Sequence, residues 1–88
     1  MKVYNMTSNS TGRKVANQFI IEHEGKVYFQ SYNTIIAMKQ AGKIIIDTNA
    51  ENYSKTTSKY LYQFLNTDRK SLLQAVKDGR IARADLNA

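Results

Sequence analysis

Between Val15 and Met38 the chain reads VANQFIIEHEGKVYFQSYNTIIAM, two alternating runs separated by a glycine-bearing turn. Strand side chains point alternately to opposite faces, so this pattern predicts a hairpin with two chemically distinct sides. Val15, Asn17, Phe19 and Ile21 share one face of the first run, and Ala16, Gln18, Ile20 and Glu22 share the other. In the second run Val27, Phe29 and Ser31 oppose Lys26, Tyr28, Gln30 and Tyr32.

Turn length decides how these faces combine. A two-residue Glu24-Gly25 turn would pair Ile21 with Tyr28 and Glu22 with Val27, mixing polar and apolar residues on both sides. A three-residue loop, His23-Glu24-Gly25, pairs Glu22 with Lys26, Ile21 with Val27 and Phe19 with Phe29. That register gathers Val15, Phe19, Ile21, Val27 and Phe29 into one core face and sets Gly25 where a bulge needs positive φ. Because register follows the buried face, the three-residue loop is expected. The opposite face then presents Gln18, Ile20, Lys26, Tyr28, Gln30 and Tyr32.

Two further strands follow, Thr34–Met38 and Lys43–Asp47, joined by Lys39-Gln40-Ala41-Gly42. The β-branched run Ile44-Ile45-Ile46 suits a strand covered on both faces. Lys2–Met6 adds a short N-terminal strand, with a polar loop over Thr7–Arg13. After Asp47 the period changes. Tyr60, Leu61, Phe64 and Leu65 recur at helical spacing, which predicts a helix from Thr57 to Asn66 capped by Thr56 or Thr57. A second helix is expected from Asp68 to Asp78, capped by Thr67 or Asp68, with Leu72, Leu73 and Val76 inward and Gly79 just past its end. Ile81 and Leu86 are placed to pin the tail. The expected fold is α+β: an antiparallel meander of three to five strands, then two short C-terminal helices packed on one face.

The chain's 88 residues make a single domain, residues 1–88, and the absence of cysteine rules out disulfides and thiolate metal sites. The N-terminus lacks the apolar run of a signal peptide, and runs such as Ile35–Met38 fall far short of the roughly 20 residues that span a bilayer. A soluble, cytoplasmic protein with no membrane association is expected. Thirteen Lys and Arg against seven Asp and Glu give a net charge of +6, which favours acidic partners and also serves solubility.

On the open hairpin face, Tyr28 and Tyr32 offer stacking platforms, Gln30 an amide able to read base edges, and Lys26 a phosphate contact. The same side chains would serve a protein interface, or would simply be core if the helices cover them. Arg13 lies in a loop of hydroxyls and one glycine, Ser8–Lys14, that lacks the spacing of a P-loop and reads equally as a plain connection. Lys55 and Lys59 flank hydroxyl-rich residues at the start of the first helix, where an anion or ordinary capping would fit. Arg69, Lys70, Lys77, Arg80 and Arg83 interleave with acidic residues as a solvated face would. The sole histidine, His23, sits in a turn, and Asp47 with Glu51 does not make a general acid and base. No catalytic set, metal site or cofactor is expected.

The blocks KVYNMTSNSTGRKVANQFII (Lys2–Ile21), YFQSYNTIIA (Tyr28–Ala37) and YSKTTSKYLYQFL (Tyr53–Leu65) resemble a family of small uncharacterised proteins of tailed bacteriophages and gut-bacterial mobile elements. The resemblance implies an accessory protein made in the cytoplasm of an infected bacterial host, and it transfers no functional residues. Together these features lead to a non-catalytic protein that binds nucleic acid through Tyr28, Tyr32, Gln30, Lys26, Arg13, Lys55 and Lys59. The alternatives are a module that binds an acidic host protein, inhibiting or modulating a defence factor, and a small homo-oligomeric structural protein joined through strand edges.

Overall fold

A computed structural model describes residues 1–88 apart from the side chain of Glu51, so the pairing of Asp47 with Glu51 considered above lies outside the described residues. The chain forms β1 (Lys2–Thr7), β2 (Lys14–His23), β3 (Lys26–Ser31), β4 (Thr34–Gln40), β5 (Lys43–Asp47), a 3-10 turn (Ala50–Asn52), α1 (Lys55–Leu65), α2 (Arg69–Lys77) and β6 (Ile81–Ala84). The strands make one six-stranded sheet in chain order. Neighbours are antiparallel through β5, and β6 adds in parallel beside β5.

The α+β class stands, with two differences. The sheet has six strands where three to five were expected. The last of them follows the helices, because a helical crossover is long enough to return the chain parallel to β5. Four residues with Ile81 as the only deeply buried one gave little periodicity to recognise.

The hairpin register differs too. Glu24 and Gly25 form a two-residue turn with φ of 51° and 78°, pairing His23 with Lys26, Ile21 with Tyr28 and Ile20 with Phe29. Positive φ at both positions is the type I′ geometry, whose twist matches that of the flanking strands. Ala41 and Gly42 repeat it, with φ of 48° and 80°, so β4 and β5 meet through two residues and not four. A one-residue slip exchanges every side chain of β2 between faces.

A bulge at Asn17, φ 64°, resets the alternation within β2, and its carbonyl accepts from the Tyr32 amide at 2.7 Å. Val15, three residues before Gln18, therefore lies on the same side as Gln18 and Ile20. The expected core set is split. Val15, Ile20, Val27 and Phe29 face the helices. Phe19 and Ile21 lie on the other side with Tyr28.

The core joins Met6, Phe29, Ile36, Ala37 and Ile46 of the sheet to Tyr60, Leu61, Phe64 and Leu65 of α1 and Leu72 and Ala75 of α2. Phe29 and Phe64 meet with ring centroids 5.8 Å apart and planes tilted by 31°. Ser31 and Thr57 share a buried hydroxyl hydrogen bond of 2.9 Å between sheet and helix. Lys39 donates to the Phe64 carbonyl near the C-terminus of α1 and lies 4.3 Å from the Phe64 ring centroid, a favourable place for a cation at a helix end. Burial pulls its ammonium below the ordinary lysine range.

α1 starts earlier than its apolar spacing predicts, because Ser54 is the N-cap and its hydroxyl accepts from the Thr57 amide. It ends at Asn66, which takes the left-handed conformation with φ 54°. Asp68 caps α2 by accepting from the Ser71 amide at 2.7 Å, and this contact holds its carboxyl below the ordinary range. Past α2, Gly79 at φ 80° lets its own amide reach the Val76 carbonyl and the Arg80 amide reach that of Ala75. This closure confirms Gly79 as the residue after the helix. Leu73, expected inward, is exposed, since Leu72 and Ala75 take the buried stripe. Ile44 and Ile46 face the helices, whereas Ile45 lies on the side no helix covers.

Candidate functional site: a basic, tyrosine-lined groove on the first helix

α1 contains no acidic residue. Once the helix begins at Lys55, the positions Lys55, Ser58, Lys59 and Tyr62 fall at spacings of three and four and share one outer face. Arg69, the first residue of α2, and Tyr53, just ahead of the N-cap, complete an open groove of about 630 Å³. Among the described residues no carboxylate lies within ion-pair distance of Lys55, Lys59 or Arg69. The groove thus sets three cations beside two tyrosine rings, with the positive end of the α1 dipole next to them.

Tyr53 is held from behind. Its hydroxyl donates to Asp47 Oδ2 at 3.1 Å. Asp47 is only 4% exposed and also accepts from the Leu86 amide at 3.1 Å and from Asn87 Nδ2 at 3.2 Å. Burial pushes the Asp47 carboxyl up, but donation from the Leu86 and Asn49 amides, Tyr53 and Asn87 outweighs it and holds the group below the ordinary carboxylate range. The Tyr53 hydroxyl is raised above the ordinary tyrosine value, first by burial and then by the carboxylate it bonds.

Asn87 finishes this anchor. Its side chain accepts from the Ile35 amide at 2.7 Å and donates to the Ile35 carbonyl at 3.0 Å. Pairing between β4 and β5 ends at Ala37 and Ile46, so the Asn87 amide occupies the place a longer β5 would fill.

The residues expected to bind together do not form one surface. Lys55 and Lys59 line the groove. Lys26, Tyr28 and Gln30 lie on the side of the sheet away from the helices, and the Gln30 amide donates to the Tyr32 carbonyl at 2.7 Å. Tyr32 is exposed at the β3–β4 turn with φ 55°. Arg13 is exposed in the β1–β2 loop. The amides of Ser8, Ser10, Gly12 and Arg13 are bonded within that loop, and Gln63 of α1 binds the Asn9 amide and the Thr7 carbonyl. The loop is therefore a docked connection whose amides are already engaged.

Tyr62 was missed because its face depends on where α1 begins. With the cap set at Thr56 or Thr57, Lys55 falls outside the helix, and the stripe Lys55-Lys59-Tyr62 does not emerge. Arg69 belongs to the groove only through the turn between the helices, for which the sequence has no local signal.

The chain is thus a small two-layer α+β protein with a basic aromatic groove on its helical side. It belongs to the family of unknown function DUF8033, whose model matches residues 1–80. No curated protein and no solved structure matches it. Among the described residues no helix is long and apolar enough to cross a membrane, and no group of His, Cys, Asp or Glu is placed to hold a metal ion.

Proposed function

We propose that this protein binds nucleic acid in the groove along α1, as a non-catalytic accessory protein in the cytoplasm of a phage-infected bacterium. One observation carries the reading: Lys55, Lys59 and Arg69 line one groove together with Tyr53 and Tyr62. Cations at this spacing track a phosphate backbone, and tyrosine rings accept stacked bases at about 1–3 kcal/mol each. Single-stranded nucleic acid suits the site best, because its bases are free to stack.

Lys26, Tyr28, Gln30 and Arg13 lie away from the groove and are peripheral in this reading. An acidic host protein is the competing partner. It would use the same cations but would not need the Tyr62 ring.

Fluorescence anisotropy with labelled single-stranded DNA, duplex DNA and RNA over a salt series tests the proposal. Single strands should bind more tightly than duplex, with a slope of roughly −2 in log K against log[salt], the value for about three neutralised phosphates. Tyr62→Ala should weaken single-strand binding with little effect on the salt slope. Absence of binding at low salt would end the nucleic-acid reading and turn attention to the protein partner.

A further inference from the structure

Tyr53 is shared by three adjoining hollows. The first is the α1 groove. The second is a recess of about 280 Å³ at the start of α1, whose lining runs from the fully buried Ile36 through Ser31, Ser54 and Thr57 to the exposed Tyr32. The third, of about 450 Å³, shares Thr34 with the recess and is lined beyond it by Asn33, Thr48, Asn49 and Asp85.

Charge changes sign along this path. Among the described residues, cations and no acid line the groove, and no charged residue lines the recess. The third hollow is lined by Asp47 and Asp85 and by no cation. A phosphate is therefore held in the groove and repelled at the far end, whereas an uncharged base suits the recess between them.

Tyr32 is an independent pointer to the same place. Ser31 pairs with Thr34, so Tyr32 and Asn33 make a two-residue turn, and Tyr32 holds its first position at φ 55°. Among the described non-glycine residues at positive φ it is the only aromatic one. A bulky side chain is costly in that conformation, where glycine meets no steric penalty. Folding gains little in return, since Tyr32 is 58% exposed. Its backbone is nevertheless pinned on both sides, the amide donating to the Asn17 carbonyl and the carbonyl accepting from the Gln30 amide, each at 2.7 Å. The turn thus mounts an aromatic ring firmly beside the recess at a cost to the fold, as functional sites do.

We propose that the recess takes one nucleobase of the bound strand, guanine in preference, stacked on Tyr32 and Tyr53 with its Watson–Crick edge toward Asp85. The inference rests on the nucleic-acid reading above and extends it from backbone binding to base selection. Asp47 has no part in it, because its oxygens already accept from the Leu86 and Asn49 amides, Tyr53 and Asn87. Asp85 is exposed, and its Oδ1 accepts from the Asn87 amide at 3.0 Å, which orients the carboxylate and leaves it further acceptor sites. Guanine offers two adjacent donors, N1–H and the 2-amino group, that match the two oxygens of a carboxylate. Adenine and cytosine set one amino group beside a ring nitrogen that a carboxylate repels, and thymine flanks its one N–H with carbonyls.

Fluorescence anisotropy with three labelled strands of about nine nucleotides tests this: all thymidine, or thymidine with one central guanosine or inosine. The guanosine strand should bind about five- to tenfold more tightly than the thymidine strand, within the range of a bidentate base contact. Inosine lacks the 2-amino group and should lose most of that gain. Asp85→Asn should abolish the guanosine preference without weakening the thymidine strand. Tyr32→Gly should weaken all three strands by about fivefold or more, the loss of one stacked base. It should melt no lower than wild type, since glycine relieves the turn. Three strands that bind alike would overturn the proposal and leave the groove reading standing, as would a Tyr32→Gly variant of wild-type affinity. Absence of binding by every strand at low salt would remove both.

Discussion

The Tyr53 hydroxyl donates to Asp47 across 3.1 Å, and this one contact links the wall of the α1 groove to the end of β5. Asp47 also gathers the Leu86 amide and the Asn87 side chain, so the groove, the sheet and the C-terminal tail share a single anchor.

That anchor should weaken at both extremes of pH. The folded pKa of Asp47 lies below its ordinary 3.8, so its contribution is present above pH 3.8 and is lost as pH falls through the lower folded value. The folded pKa of Tyr53 lies above its ordinary 10.0, so its contribution is present below pH 10.0 and is lost as pH rises through the higher folded value. Tyr53→Phe should cost about 1.5–3 kcal/mol near neutrality, the range for a hydrogen bond to a charged acceptor. The gap in melting temperature between wild type and variant should close toward both limits. A gap that stays constant with pH would show that the hydroxyl does not bond an ionised Asp47.

Binding variants should sort by position. Lys55→Glu and Lys59→Glu should each weaken single-stranded DNA binding by about tenfold or more and flatten the salt slope by about one phosphate. Lys26→Glu, on the opposite side of the sheet, should change affinity by less than about threefold, an effect of long-range charge alone. Equal losses from Lys26→Glu and Lys59→Glu would mean that net charge, and not the groove, governs binding.

Gln18 is fully buried on the helix side of the sheet, and neither atom of its amide has a hydrogen-bond partner. An unpartnered buried amide costs about 1–3 kcal/mol. Gln18→Met, of similar shape and without that cost, should therefore stabilise the fold by about 1–2 kcal/mol in urea denaturation. A less stable variant would reveal that an internal water bonds the amide.

Ala41 holds φ at 48° in its two-residue turn, a conformation alanine adopts at a cost and asparagine tolerates well. It is exposed, so little besides the backbone should respond to substitution. Ala41→Asn should raise stability by roughly 0.5–1 kcal/mol, and Ala41→Val should lower it by at least as much. If both variants melt with the wild type, the turn does not hold type I′ geometry in solution.

Local chemistry in the sequence was enough to locate five of the six strands, both helices, the Asp68 cap and the glycine after α2. Alternation, helical spacing and glycine at turns each act over a few residues, and each could be read directly from the chain. The register of β2 could not. Burying Phe19 with Phe29 favoured a longer loop, but the twist of the paired strands favoured type I′ turns at Glu24-Gly25 and Ala41-Gly42, and Asn17 took up the mismatch as a bulge.

The candidate site divides in the same way. Lys55 and Lys59 stood out as cations beside a helix start, but Tyr62 and Arg69 joined them only when Ser54 set the helix phase and the interhelix turn folded back. The sequence by itself determined which segments are strands and helices, because those preferences belong to neighbouring residues. Tertiary structure alone decided which sheet face the helices cover and what lies open on the other. Coverage depends on contacts between Phe29 and Phe64, or Lys39 and the end of α1, whose partners are far apart in the chain and whose energies no local pattern encodes.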